Sequence, residues 1–198
     1  MKKTILMLTL GLLIIHCSAQ STESAFTKQH EITGGVGLVS DAQVLSVLGD
    51  LFASALTAGY VIEPGTYNVL SPNLNYRYWL SDRFALGASY TFDYNTVRVR
   101  HDNTPNVAAN WKDHSRLFHT FAIEGVYNYV SKPSWQFYGM LGAGVTIVHI
   151  SDVPVETWVG PNFQLSPFGM RFGKDIGGFF ELGYGYKGIL NAGISYRF

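Results

Sequence analysis

The sequence predicts an all-β protein: a closed, antiparallel, eight-stranded up-and-down β-barrel that spans a membrane, with a short amphipathic helix in its first outer loop. Three observations predict it. Charged residues make up 14% of the 198 residues, against about 25% in average soluble chains. An apolar/polar alternation of period two, the signature of a two-faced strand, runs through eight segments. The charges inside those segments all fall on the face opposite the aromatic and aliphatic row. A soluble barrel also alternates, but its polar face looks outward and carries many Lys and Glu residues. Here that face is mostly Gly, Ser, Thr and Asn, which suits a narrow interior, so the bulky face meets lipid. Lipid offers no hydrogen bonds to an open sheet edge, and only a closed sheet can span it.

The remaining composition narrows the reading. Apolar residues at 47% exclude intrinsic disorder. A mean hydropathy of +0.10 is too low for a bundle of membrane helices, and no window beyond the N-terminus offers the roughly 20 apolar residues of a spanning helix. A formal net charge of zero lacks the basic footprint of a nucleic-acid partner. At the N-terminus, Met1-Lys2-Lys3 is a basic n-region, Thr4 to Ile15 an apolar h-region, and Cys17-Ser18-Ala19 a small-residue stretch ahead of Gln20. This is the anatomy of a cleaved secretory signal peptide over residues 1–19, leaving 20–198 as one barrel domain. A retained membrane anchor is the alternative, and the run is too short for it. Ile14-Ile15-His16-Cys17 resembles a lipoprotein box, with His16 where a small residue is expected. Cleavage after Ala19 removes the single cysteine, and disulfides, thiol chemistry and Cys-based metal sites go with it.

The strands follow in order. Ile32 to Val39 is the first. From Asn68 to Leu80, Leu70, Leu74, Tyr76, Tyr78 and Leu80 alternate with Ser71, Asn73, Asn75 and Arg77. After Ser81-Asp82-Arg83, Phe84, Leu86, Tyr90, Phe92 and Tyr94 oppose Gly87, Ser89, Thr91 and Asp93. Ser115 to Val130 sets Leu117, Phe121, Ile123 and Tyr127 against Arg116, Thr120, Glu124 and Asn128. Ser131 to Ser134 turns the chain into Trp135 to His149. Phe163 to Phe172 places Arg171 opposite Phe168, Met170 and Phe172, and Gly173 to Asp175 turns again. Phe180, Leu182, Tyr184 and Tyr186 oppose Glu181, and Leu190 to Phe198 completes the count with Arg197 on the polar face. Eight strands give an interior that side chains just fill.

The connections alternate in length. Short turns at residues 81–83, 131–134 and 173–175 read as periplasmic, and long ones at Ser40 to Thr66, Val97 to His114 and Ile150 to Asn162 as extracellular. Only Lys187-Gly188 is a tight outer loop. Girdles of aromatic residues are expected at Trp79, Phe84, Trp135, Tyr196 and Phe198 below, and at Tyr94, Tyr184 and Tyr186 above. Arg77, Asp93, Arg116, Glu124, Arg171, Glu181 and Arg197 then point into the lumen. Buried charges persist when paired, so a packed ion-pair network is expected, with Glu124 and Glu181 against Arg77 or Arg171. A proton or ion path is the alternative reading of the same residues.

The signal peptide, the eight alternating segments and the ending Leu190-x-Ala192-x-Ile194-x-Tyr196-x-Phe198 resemble outer-membrane barrels of the OmpA/OmpX type from the Gram-negative cell envelope. Because the sequence ends on the eighth strand, no periplasmic domain of the OmpA kind is expected. The resemblance implies outer-membrane lipid and lipopolysaccharide as surroundings, a monomer, and recognition of Ile194, Tyr196 and Phe198 by the barrel-assembly machinery. Outer-membrane lipid A deacylases, also eight-stranded, use a His-x-Ser pair on the lipid-facing wall. His149-Ile150-Ser151 is similar, and a His base beside a Ser nucleophile suits acyl transfer, although Asp113-His114-Ser115 offers a like string by coincidence.

Outside the strands, Val44, Leu48, Leu51, Phe52 and Ala55 fall on one stripe of a helix over Asp41 to Leu56, capped by Ser40 or Asp41. Docking on its own barrel is the favoured placement, with the membrane interface and a partner-binding surface as alternatives. Arg98 and Arg100 continue the outward register of the third strand at the expected height of lipopolysaccharide phosphates, with a solvated loop as the alternative reading. Gly34-Gly35-x-Gly37 lies in a strand and marks close packing, not a nucleotide site. No catalytic pair, cofactor motif or metal-ligand spacing emerges elsewhere. The sequence therefore predicts a non-enzymatic outer-membrane barrel with a structural or surface-interaction role, a lipid A deacylase and a small pore being the alternatives.

Overall fold

The computed structural model describes residues 29–57, 62–63, 68–100, 111–151 and 156–198, without the side chains of 62, 63, 98–100, 111, 112 and 156. The expected signal peptide, residues 1–19, lies outside them. Strand β1 (His30–Leu38) leads into helix α1 (Asp41–Leu56) and the two-residue β2 (Ile62–Glu63). The chain continues through β3 (Leu70–Trp79), β4 (Phe84–Arg100) and β5 (Trp111–Ser131). It ends with β6 (Trp135–Ile150), β7 (Glu156–Gly173), β8 (Ile176–Gly185) and β9 (Leu190–Arg197). Each long strand pairs antiparallel with its neighbours along the chain, and β1 also pairs with β9. The result is a closed eight-stranded up-and-down barrel, with β2 laid beside the end of β4. This is the closed eight-stranded architecture that the sequence predicts.

Side-chain exposure gives the barrel its inverted character. Ile123 and Ile194 are 71% and 69% exposed on the outer wall, whereas Arg77 and Glu124 inside are 2% and 0% exposed. Leu74, Leu86, Phe121, Leu141 and Phe163 continue the exposed apolar wall. Thr33, Ser71, Asn75, Thr91 and Ser195 line the lumen, where small polar side chains fit a narrow bore.

Trp79 and Tyr186 do not join the outer girdles. Trp79 shares the inward register of Arg77 and is 3% exposed, with its indole N–H donating to Glu31 at 2.8 Å. Gly185, at φ 137°, interrupts the alternation after Tyr184 and turns Tyr186 inward, where it is 1% exposed. That φ lies in a region glycine occupies at no steric cost. Tyr138 and Met140 share the inward register of Gln136, and each is 3% exposed. There they meet Trp79, Ala85 and Val126 in an apolar cluster near the short turns. The ladders on both sides of β7 shift register between Leu165 and Gly169, a stretch that contains Pro167, which has no N–H for the ladder.

The loop end is uneven. The β4–β5 ladder continues to Arg100↔Trp111 and the β6–β7 ladder to Ile150↔Glu156, so much of the expected loops at Val97–His114 and Ile150–Asn162 is strand. The β8–β9 ladder stops at Leu182↔Leu190. Backbone pairing goes on in these hairpins although the apolar period fades there.

Candidate functional site

The lumen is organised around three carboxylates in its lower and middle parts, and Asp93 anchors the helix at its mouth. Near the short turns, Glu31 faces Arg171 Nε at 3.2 Å and Arg197 Nη2 at 3.0 Å. Arg197 also donates to Gln136 at 2.6 Å and lies 5.0 Å over the Trp79 ring. The Arg171 guanidinium reaches down to the carbonyl oxygens of Gly173 and Lys174, at 2.9 and 2.6 Å, so this cation also ties the β7–β8 turn.

At mid-height, Arg77 Nη2 donates to Glu181 at 2.7 Å and lies 3.9 Å from Glu124. Tyr138 O–H and the Asn191 amide donate to the two oxygens of Glu181, each at 2.9 Å. Glu124 accepts from Tyr186 O–H at 2.9 Å and pairs with Lys187 Nζ at 2.6 Å. A Cβ on Gly142 would collide with the Tyr186 hydroxyl, so the missing side chain there makes room for this contact.

At the mouth, α1 folds into the bore. Val39, the one described non-glycine residue at positive φ (58°), bends the chain back after β1. Ser40 then caps the helix through a capping box: its hydroxyl accepts from Gln43 N–H at 3.4 Å, and Gln43 Oε1 accepts from Ser40 N–H at 3.0 Å. Asp93 anchors this turn, accepting from the Ser40 hydroxyl at 2.8 Å, from the Gln43 amide at 3.1 Å, and from Ser71. Ser46 accepts from Asn95 at 3.3 Å, and Asp50 pairs with Arg116 at 3.0 Å. Ala42 packs on Phe118 and Val148.

The helix therefore docks on its own barrel, but through its polar side. Of the expected apolar stripe, Leu48, Leu51 and Phe52 are more than half exposed, as are Leu45 and Leu56. The physical reason is the wall: the upper lumen presents Ser71, Asp93, Asn95 and Arg116, so the face that gains contacts there is Gln43, Ser46 and Asp50.

Of the seven charges read as lumenal, Arg77, Glu124 and Glu181 come together in one cluster, and Arg171 and Arg197 share Glu31. Asp93 and Arg116 stand apart, holding α1. Glu31 and Lys187 escaped the sequence reading. Glu31 stands one residue before the assigned first strand, yet its register with Thr33 marked it as inward. Lys187 sits in a tight turn, and nothing in the sequence signals that the Gly185 kink directs it into the bore.

Other candidates occupy the outer wall. His149 Nδ1 is hydrogen-bonded to the Thr157 hydroxyl at 3.1 Å, and the Ser151 hydroxyl accepts from Ser115 N–H at 3.0 Å. The pair is thus engaged with separate partners. Arg98 and Arg100 lie in the projecting part of β4, opposite Asp113 and Trp111 in the ladder, and their side chains lie outside the described residues. Ile194, Tyr196 and Phe198 all point outward, with Phe198 stacked on His30 at 5.4 Å. Among the described residues, no group of three or more His, Cys, Asp or Glu side chains gathers as a metal site.

No family model matches the chain, and no curated protein matches it. Among solved structures it is similar to the N-terminal β-barrel domain of Pseudomonas aeruginosa OprF, at 13% identity and a TM-score of 0.48, over 86% of this chain and 98% of that one. It is also similar to Ail, the attachment invasion locus protein of Yersinia pestis, in complex with the heparin analogue sucrose octasulfate, at 14% identity and a TM-score of 0.41, over 86% of this chain and 99% of that one. A second crystal structure of Ail gives 14% identity and a TM-score of 0.40, over 87% and 100% of the two chains. Function is therefore read from this chain's own residues.

Proposed function

We propose that the chain is a non-enzymatic outer-membrane barrel, exported by a cleaved signal peptide, that acts as a monomer through the surface presented at its loop end. The observation that supports this reading is one wall with two opposite faces: an exposed apolar exterior and a lumen filled with paired charges. An exterior of that kind is stable only in lipid, where the closed ladder leaves no unpaired edge. At mid-height Arg77, Glu124, Tyr138, Glu181, Tyr186 and Lys187 are all buried against one another, which favours a structural filling over conduction. In this reading the lumen charges hold strands together and need no cofactor. Arg98 and Arg100 take lipopolysaccharide phosphates, and Ile194, Tyr196 and Phe198 are the strip read by the barrel-assembly machinery. Planar-bilayer recording tests it: the reconstituted full chain is expected to give no discrete conductance steps. Reproducible single-channel steps would instead establish the pore.

A further inference from the structure

Helix α1 leaves part of the mouth open. Between its first two turns and the inner faces of β5, β6 and β7 lies a cleft of about 380 Å³, within the range of small-molecule sites. Its lining includes Ala42, Leu45, Phe118, Val148 and Trp158. Leu45 and Trp158 are 64% and 59% exposed. Apolar surface on both sides of a concave site is the arrangement that an apolar guest covers most favourably.

The same cleft is lined by Asp41, and the electrostatics there are incomplete. Asp41 is 7% exposed. Its Oδ1 accepts from Ala42 N–H at 2.8 Å and from the Asn162 amide at 3.4 Å. No cation lies against it among the described residues. Arg116 also lines the cleft but is paired with Asp50, and Asp93 has its own three donors. The N-terminus of α1 contributes partial positive charge to Asp41, less than a full counter-ion. Burial accordingly pushes the Asp41 carboxyl above its ordinary value, and the two hydrogen bonds only partly offset this.

We propose that this cleft binds a small amphiphilic amine from the aqueous side, its apolar body between Leu45 and Trp158 and its ammonium group on Asp41. The ammonium supplies the charge that the site lacks, and the Trp158 ring adds a face on which a cation is favoured. The chemistry selects against anions, because Arg116, the described cation that lines the cleft, is already engaged, and against neutral isosteres, which leave Asp41 uncompensated. The inference rests on the reading of the chain as a filled barrel with an outward-facing mouth.

The test uses the full-length barrel in lipid nanodiscs, titrated calorimetrically with 4-phenylbutylamine and, separately, with 4-phenylbutanol, with empty nanodiscs as background. Saturable binding of one amine per barrel is expected, at least tenfold tighter than the alcohol. Asp41→Asn is expected to remove the preference for the amine. Leu45→Trp, which fills the cleft from an exposed position, is expected to abolish binding of both ligands. Heat-modifiable gel mobility checks that each variant is folded. Amine uptake no greater than that of empty nanodiscs, or binding unchanged by both substitutions, overturns the proposal. Conductance steps defeat the filled-barrel reading itself, whereas a silent barrel that ignores the amine defeats only the assignment of the cleft.

Discussion

Glu124 has no exposed surface, and its carboxylate is shared by Lys187 at 2.6 Å, Tyr186 at 2.9 Å and Arg77 at 3.9 Å. A glutamine there still accepts from Tyr186 but leaves the Lys187 ammonium buried with no carboxylate in contact. Breaking one partner of a buried pair costs about 3–5 kcal/mol, whereas replacing both by apolar groups is often neutral. Glu124→Gln is therefore expected to lower the midpoint of the thermal gel-mobility transition. Glu124→Leu combined with Lys187→Met is expected to recover most of that loss. An unchanged midpoint for the single substitution would mean that the network does not hold the barrel. Half of this pair was legible in the sequence. Glu124 sits in a clean alternating strand whose phase fixes its direction. Lys187 follows the Gly185 kink, and a positive φ at one glycine resets the phase without any mark in the hydrophobic pattern.

Helix α1 shows the same division at the scale of an element. Its extent was readable from the Ser40 cap and the 3.6-residue stripe, and the helix spans Asp41–Leu56. Its docking face was not, because the rule that apolar stripes face inward assumes an apolar interior. In a barrel bathed in lipid the interior is the polar compartment, and the stripe of Leu48, Leu51 and Phe52 turns away from it. Ser40 is the joint between helix and wall, capping Gln43 and donating to Asp93. Ser40→Ala removes both contacts, and loss of a cap alone costs about 1 kcal/mol. Hydrogen exchange is expected to quicken across residues 41–56, while the thermal transition of the barrel stays close to that of the parent. Unchanged protection in the helix would show that Asp50–Arg116 and the Ala42 packing suffice to hold it.

For the whole molecule, closure is the property on which the rest depends. Gly35 and Gly193 face each other across the β1–β9 seam. A Cβ on Gly193 would collide with the backbone of Gly34 and Gly35, while the Phe179 ring fills the space beside Gly35. Gly193→Val is expected to prevent the folded, fast-migrating gel form, because the strands cannot approach at that rung. A heat-modifiable Gly193→Val protein would show that the seam tolerates a gap. The eight strands and the inverted faces were legible because lipid imposes one rule on every spanning residue. The uneven rim was not, since above the bilayer that rule lapses.

The seam has a consequence in time. Of the eight barrel pairings, six join strands consecutive along the chain and can form as hairpins, and β1–β3 spans only α1 and β2. The eighth must bring His30 to Phe198, whose backbone groups exchange hydrogen bonds of 3.2 and 3.0 Å. Non-local closure of this kind is slow relative to hairpin formation. Until β9 has been synthesised, β1 has no second partner, and any sheet that enters lipid early carries two raw edges into it. The barrel thus stays unfinished until its last strand arrives, and closure becomes a single late event set by β9.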